Sequence, residues 1–210
     1  MGDFALIIPA FDYIIVDPTK RKFATYKEIG WDDKSILNYV ANKQNHERIA
    51  DFITSTVSFS ASSRRNRFYE IYNRQDMLEL ERAYLGAIDG IKQLSEHFEI
   101  HIISDRTEEL KDSTLGHLRK LGFPLDKMQV YFKKTHESMH NYKRTILREI
   151  TAKIPSGVAI ITNPKDGQNF GLYEYTVLGF DSIKEESEFS NESEFVCHTW
   201  DQIRSSLENQ

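Results

Sequence analysis

The sequence predicts an α/β protein in which a parallel sheet lies between layers of helices and a small helical insertion follows the first strand. Three observations carry this prediction: a continuous apolar run near the N-terminus, a later alternation of helix-like and strand-like segments, and a charged stretch of helical periodicity between them. Strands that are buried on both faces appear as unbroken apolar runs, and strands that alternate with helices pair in parallel. The predicted domains are a core of residues 1–18 and 83–210 and a helical insertion at 19–82.

The predicted elements follow from local patterns along the chain. The first strand is the apolar run Phe4–Ile8, and a second apolar run ends at the turn signal Asp17-Pro18. In the insertion, apolar residues recur at helical spacing, and the polar stretch 60–67 indicates an exposed loop. After the insertion we expect helices over 83–97, 107–121 and 135–153, with Gly122 as a left-handed cap of the second. The strands predicted between and after these helices are 98–103, 128–132, 157–162 and 173–180.

Composition excludes several classes of protein. The 210 residues are 40% hydrophobic, which is enough for a real core and excludes disorder over most of the chain. The one cysteine, Cys197, cannot form an intrachain disulfide, and no signal peptide or membrane span is evident. We therefore expect a cytoplasmic protein with no membrane partner. The net charge of −5 disfavours a nucleic-acid partner, and the segment 181–194 by itself carries a net charge of −5, so the remaining chain is balanced.

Polar residues follow three predicted strands, at the edge where open parallel sheets bind ligands. Asp12 comes after the first strand, Ser104 after the strand at 98–103, and Asn163 and Asp166 after the strand at 157–162. Lys143 lies on the helix before that last strand. A hydroxyl and an ammonium group can hold phosphate oxygens, and carboxylates can hold a hard cation such as Mg²⁺. The pattern predicts a site of the phosphate-and-metal type.

The first of these segments resembles the opening motif of the haloacid dehalogenase (HAD) superfamily, whose best-known members are Mg²⁺-dependent phosphatases. That motif is an apolar strand followed by Asp-x-Asp-Gly-Thr. The segment LIIPAFDYIIVD is similar to it, with Ala10, Asp12 and Tyr13 at the places of the first Asp, the second Asp and the Gly. The resemblance implies a HAD-like, three-layer core of the Rossmann type. The insertion at 19–82 falls where the helical cap domains of the family enter.

The other motifs of the family have counterparts in the same order. The second motif, an apolar strand that ends in Ser or Thr, resembles IHIISDR, with Ser104. The third is a lysine, for which Lys143 is the best candidate. The fourth, an apolar strand with Gly-Asp and a second Asp three residues later, resembles VAIITNPKD, with Asn163 and Asp166. The resemblance implies that Ser104 and Lys143 bind phosphate.

The departures from the family pattern concern its catalytic groups. The aligned nucleophile is Ala10, which has no group to attack phosphorus or to hold Mg²⁺. Asp12 takes the place of the general acid/base, and without a nucleophile it has little to act on. Asn163 is a neutral ligand, so Mg²⁺ binding through Asn163 and Asp166 would be weakened. We therefore expect a HAD-like protein that has lost, or strongly reduced, phosphoryl transfer and keeps a phosphate-binding pocket for a small phosphorylated ligand or a protein partner.

Two other hypotheses stay open at the level of sequence. An active Mg²⁺-dependent phosphatase or hydrolase would use Asp12 as its nucleophile, or Asp17 if the second apolar run is the active strand. Alternatively, His136-Glu137-Ser138-Met139-His140 would form a zinc site if the segment is helical, because histidines four residues apart then face the same way.

Overall fold

The computed structural model describes residues 4–34, 36, 61–162, 172, 174–180 and 195–208, without the side chains of 61–65 and 195. The chain divides into two compact units. The first unit joins Met1–Val16 to Ala83–Gln210, and the second is Asp17–Arg82. Two short strands, β2 (Val16–Asp17) and β3 (Arg82–Ala83), pair with each other, and the division between the units falls within both strands.

The first unit is built on a six-stranded sheet in the order β5-β4-β1-β6-β7-β8. All neighbouring strands in it are parallel, and β1 lies inside the sheet between β4 and β6. The predicted α/β class with a parallel sheet is thus confirmed. The strands are β1 (Ala5–Ile8), β4 (Glu99–Thr107), β5 (Met128–Lys133), β6 (Gly157–Ile161), β7 (Tyr175–Phe180) and β8 (Phe195–Cys197).

Helices cover both faces of this sheet. Strand β1 is fully buried, and its residues alternate between two hydrophobic clusters: Leu6 and Ile8 belong to one, and Ala5 and Ile7 belong to the other. The Leu6 cluster includes side chains of α4 (Ala87–Leu94), α5 (Lys111–Leu121) and α7 (Trp200–Glu208), and the Ala5 cluster includes side chains of α6 (Met139–Lys153). Because both faces are covered, a continuous apolar strand is what this position requires.

The boundaries of two helices differ from the prediction. The helix expected from residue 107 begins at Lys111, because β4 continues to Thr107 and a 3₁₀ turn, Glu108–Leu110, follows it. The helix expected from residue 135 begins at Met139, where the hydroxyl of Ser138 accepts a hydrogen bond from the backbone N–H of Asn141 at 3.3 Å. Gly122 caps α5 in the left-handed conformation, with φ 96°, as predicted.

The second unit contains the helices α1 (Thr19–Glu28), α2 (Ala61–Tyr72) and α3 (Gln75–Leu78). The prediction of an exposed loop at 60–67 was wrong, because residues 61–67 are the first turns of α2. That helix is anchored in its second half, where Phe68 and Tyr72 stack with their ring centroids 5.2 Å apart. Tyr26 is fully buried against them and stacks on Trp31 at 4.8 Å.

A buried ion pair links distant segments of the second unit. Arg21 and Glu81 have fully buried side chains, and Nη1 of the arginine lies 2.6 Å from Oε1 of the glutamate. The guanidinium also donates to the backbone carbonyl of Tyr72 at 2.7 Å and lies 3.5 Å from the centroid of the Tyr72 ring. None of the helices within the described ranges is long and apolar enough to cross a membrane.

Candidate functional site

The candidate site lies at the carboxyl ends of the central strands of the first unit. Ala10 and Asp12 follow β1, and Ser104 lies near the end of β4, which pairs with β1 in parallel. Strand β6, on the other side of β1, ends at Ile161. Because neighbouring parallel strands end at the same edge, these segments meet where open α/β sheets bind ligands. Asn163 and Asp166, predicted to follow β6, lie outside the described residues.

The loop after β1 is held in a defined conformation. The backbone N–H of Tyr13 donates to the carbonyl of Val16 at 2.7 Å, and the N–H of Ile15 donates to the carbonyl of Phe11 at 3.0 Å. The indole N–H of Trp200, a buried residue of α7, donates to the carbonyl of Ile14 at 2.8 Å. Hydrogen bonds within the loop and a contact with the core thus position the residues that follow the central strand.

Tyr13 has a left-handed backbone conformation, with φ 68°. A non-glycine residue pays about 1–2 kcal/mol to adopt this conformation, and glycine adopts it freely. Tyr13 is also the residue that aligns with the Gly of the resembled motif. The backbone conformation at position 13 therefore favours glycine, which is the residue that the motif has there. This agrees with the alignment that puts Ala10 at the nucleophile position.

Arg106 is the main site residue that the sequence analysis missed. Its side chain is buried, with 7% exposed, and its Nη2 lies 3.5 Å from Oδ1 of Asp12. Nη1 donates to the hydroxyl of Thr114 at 3.2 Å, and the guanidinium lies 4.3 Å from the centre of the Phe11 ring. The carboxylate predicted as a general acid/base is thus half of an ion pair in this structure.

Ser104 is fully buried at the end of β4. Its hydroxyl oxygen accepts a hydrogen bond from the backbone N–H of Arg106 at 3.1 Å. The register between β4 and β5 shifts between Ile103 and Thr107, so the backbone is irregular where the serine lies. A shift of register changes which face of the sheet the following side chains occupy.

Lys143 lies on α6, as predicted, and its ammonium group lies 2.9 Å from Oδ1 of Asp105. The lysine side chain is 11% exposed, whereas the aspartate side chain is 61% exposed. Asp105 lies within β4, which extends past it to Thr107. Among the described residues, the buried hydroxyl of Tyr142, next to the lysine, has no hydrogen-bond partner. Burial raises the pKa of this phenol, and the charge of Asp105 is the second cause.

Asp17, the alternative nucleophile, does not directly follow the central strand β1. It ends the short strand β2 and belongs to the second unit. Its Oδ1 accepts a hydrogen bond from the backbone N–H of Thr19 at 2.9 Å, at the start of α1. In the sheet of the first unit, the position between β4 and β6 is taken by β1.

The helical geometry predicted for a zinc site at His136 and His140 is not found in this described segment. His136 lies in a turn and Glu137 in a bend, and α6 begins only at Met139, so His136 and His140 do not share a helix. The polar segment before α6 is held instead by other contacts, such as the hydrogen bond from the hydroxyl of Thr135 to Glu109. Within the described ranges, no three His, Cys, Asp or Glu side chains are arranged to hold a metal ion.

The described residues do not fit Mg²⁺ at the strand end either. This cation takes an octahedral set of oxygen ligands, with one or two carboxylates from the protein. Ala10 has no side-chain oxygen, and the carboxylate of Asp12 already faces the guanidinium of Arg106. A cation placed at Asp12 would therefore meet a positive charge that the fold has already put there.

Comparisons with known proteins place this arrangement in a structural context. No protein-family model matches the chain, and no curated protein does. Solved structures do match over nearly the full length of both chains. A haloacid dehalogenase-like hydrolase from Streptococcus pneumoniae has a TM-score of 0.68 and 14% identity, covering 99% of this chain and 100% of that one.

Two further solved structures have a similar fold. A HAD-type hydrolase from Bacillus subtilis, bound to magnesium, has a TM-score of 0.66 and 11% identity, covering 99% of this chain and 100% of that one. The L-2-haloacid dehalogenase from Xanthobacter autotrophicus, with chloropropionic acid covalently bound, has a TM-score of 0.63 and 11% identity, covering 100% of both chains. The chain therefore has the fold of the haloacid dehalogenase-like hydrolases.

Proposed function

We propose that this protein has lost, or strongly reduced, phosphoryl-transfer activity and that it uses the strand-end pocket of the HAD-like core for binding in a regulatory role. The ligand is a small phosphorylated molecule or a phosphorylated group of a partner protein. One observation carries the proposal: the residue that follows the central strand at the nucleophile position is Ala10. A methyl group cannot attack phosphorus, so no covalent intermediate forms there.

Two features of the loop support this alignment. Strand β1 lies between two parallel neighbours and is buried on both faces, as the strand before the nucleophile should be. Tyr13 has the left-handed backbone expected at the glycine of the motif. Both features support the alignment in which the first carboxylate of the motif is missing while the second, Asp12, is present.

The remaining groups suit the binding of an anion better than its hydrolysis. Arg106 lies on β4, and Lys143 of α6 pairs with Asp105 of the same strand. Each of these two positive charges is paired with an aspartate, and an incoming anion can compete with that aspartate. Guanidinium and ammonium groups form charge-assisted hydrogen bonds with phosphate oxygens. In the resembled family, the lysine and the serine have this role, and Lys143 and Ser104 are the residues we assign to it.

A turnover assay tests the proposal against an active enzyme. The full chain is incubated with Mg²⁺ and a panel of phosphate monoesters, beside the variants Asp12→Asn and Asp17→Asn. We expect no release of phosphate above the buffer rate from any of the three. Turnover by the unaltered chain that is lost in one variant would contradict the proposal and would show that this aspartate takes part in the reaction.

A further inference from the structure

The strand-end site contains a fixed positive charge. The side chain of Arg106 is 7% exposed, and that of Asp12 is 33% exposed, so their 3.5 Å contact lies at the border of the core and not on the open surface. A desolvated guanidinium requires a counter-charge and hydrogen-bond acceptors, or its burial is strongly unfavourable. Asp12 supplies the charge, and the hydroxyl of Thr114, at 3.2 Å from Nη1, supplies an acceptor.

The position of this charge is set by three segments of the first unit. The backbone N–H of Arg106 donates to the hydroxyl of Ser104, which keeps the irregular end of β4 in place. Thr114, which receives Nη1, is fully buried on α5. The guanidinium also lies over the ring of Phe11, at 4.3 Å from its centre, within the range of a cation–π contact. The group is therefore part of the folded core and does not depend on a flexible surface side chain.

From these contacts we infer that Arg106 supplies the positive charge beside Asp12 at this strand end, so that the site binds its ligands without Mg²⁺. The inference rests on the alignment of Ala10 that underlies the proposed function, and it goes beyond it by naming the group that supplies this charge. The carboxylate of Asp12 has a resident counter-ion, and a second cation beside it would be repelled by the guanidinium. The loss of a carboxylate at position 10 is consistent with this, because one cationic side chain needs fewer anionic partners than a divalent ion.

A titration of the full chain with Mg²⁺ alone tests the inference without any need for activity. Isothermal calorimetry compares the unaltered chain, Ala10→Asp, and Ala10→Asp combined with Arg106→Gln. We expect no measurable binding by the unaltered chain and weak binding by Ala10→Asp. The double variant should bind Mg²⁺ roughly tenfold or more tightly than Ala10→Asp, which is the size of effect that a neighbouring like charge has on an ionisation equilibrium. The matched control, Ala10→Asp with Arg106→Lys, keeps the charge and should behave like Ala10→Asp.

Folding of each variant is checked by circular dichroism. Ala10→Asp with Arg106→Leu is the second charge-free variant, because leucine preserves apolar packing against Phe11. Equal Mg²⁺ affinity of Ala10→Asp and the charge-free variants would overturn the inference, and so would the absence of binding by every folded charge-free variant.

The inference and the proposed function fail in different ways. Mg²⁺ binding by the unaltered chain without turnover would overturn the inference alone. Turnover by the unaltered chain that persists in EDTA would contradict the proposed function and leave the inference in place.

Discussion

The ammonium group of Lys143 lies 2.9 Å from the carboxylate of Asp105, and the two side chains differ sharply in exposure, at 11% and 61%. The lysine is held at the edge of the core, while the aspartate can turn into solvent at small cost. The carboxylate of Asp105 therefore contacts the ammonium group of Lys143 at a position that a phosphate oxygen could take. An incoming anion therefore competes with this carboxylate for the charge of the lysine.

This relationship predicts that Asp105→Asn strengthens the binding of inorganic phosphate to the full chain. The expected gain is about two- to fivefold, because an exposed ion pair contributes about 1 kcal/mol or less. Lys143→Gln should weaken binding, since it removes the charge-assisted donor. Isothermal calorimetry at low ionic strength measures both changes.

The matched control is Asp126→Asn, which removes one exposed carboxylate in the 3₁₀ turn before β5. This turn lies at the amino end of β5, whereas the candidate site lies at the carboxyl ends of the strands. It changes the net charge by the same amount and should leave the affinity unchanged. A gain as large as that of Asp105→Asn would mean that overall charge, and not the pair with Lys143, controls binding.

Tyr13 allows a test of the loop conformation. Tyr13→Gly and Tyr13→Ala both remove the phenol, but only glycine adopts a φ of 68° without strain. The glycine variant should therefore be more stable than the alanine variant by about 0.5–1 kcal/mol, after the larger chain entropy of glycine in the unfolded state is subtracted. Urea unfolding of the two variants measures this difference. A more stable alanine variant would show that the loop does not hold residue 13 in the left-handed region.

The buried pair of Arg21 and Glu81 predicts a large stability effect in the second unit. Arg21→Met leaves the fully buried carboxylate without its partner, and this should lower the free energy of unfolding by about 3–5 kcal/mol. The double variant Arg21→Met with Glu81→Leu should recover much of the loss, because it leaves no buried charge. Urea unfolding followed by fluorescence detects the change, since Trp31 lies in the same unit.

Arg67→Met is the control for this measurement. Arg67 and Glu70 form an exposed pair in the same unit, with side chains 62% and 63% exposed, at 3.3 Å. Its loss should cost less than about 0.5 kcal/mol. If Arg67→Met and Arg21→Met lowered the free energy of unfolding by similar amounts, burial of the Arg21–Glu81 pair would not explain the effect.

His101 predicts a pH dependence of stability. Its ring is 3% exposed, and Nδ1 lies 2.9 Å from the hydroxyl of Tyr131, which in turn donates to Gln129. Burial lowers the pKa of His101 below 6.5, while the carboxylate of Glu99 opposes that shift and the ammonium of Lys153 adds to it. The folded protein therefore binds this proton less readily than the unfolded chain does.

The sign of the effect follows from linkage. The contribution of His101 to stability is complete above pH 6.5 and is lost as the pH falls from there through the lowered pKa of the folded state. In His101→Gln this loss should disappear, so the stability curves of variant and unaltered chain converge as the pH falls. His97→Gln removes an exposed imidazole just before β4 and serves as control. Parallel curves for His101→Gln and the unaltered chain would contradict the prediction.

The sequence revealed most of the core because its signals are local. The continuous run at β1 requires burial on both faces, and Gly122 ends a helix in a left-handed conformation that glycine adopts more readily than other residues do. The prediction of a loop at 60–67 was wrong because the residues that anchor α2, such as Phe68 and Tyr72, come after the polar stretch. Helix formation there depends on packing at the far end of the helix, which local polarity does not show.

The site was predictable only in part. Ala10, Asp12, Ser104 and Lys143 are tied to strand and helix positions that periodicity shows. The pairing of Arg106 with Asp12 joins residues 94 positions apart, and no local pattern predicts it. One signal was available: alternate residues of a strand share a face, so extending the strand beyond Ser104 would have placed Arg106 beside it.

The central claim is that no residue of the loop after β1 accepts a phosphoryl group. The most direct test incubates the full chain with acetyl phosphate and Mg²⁺, quenches the reaction in acid, and examines peptides of residues 9–17 by mass spectrometry. The account predicts unmodified peptides from the unaltered chain. An added phosphoryl group on Asp12 or Asp17 would contradict it, because the chain would then possess the nucleophile that Ala10 fails to supply.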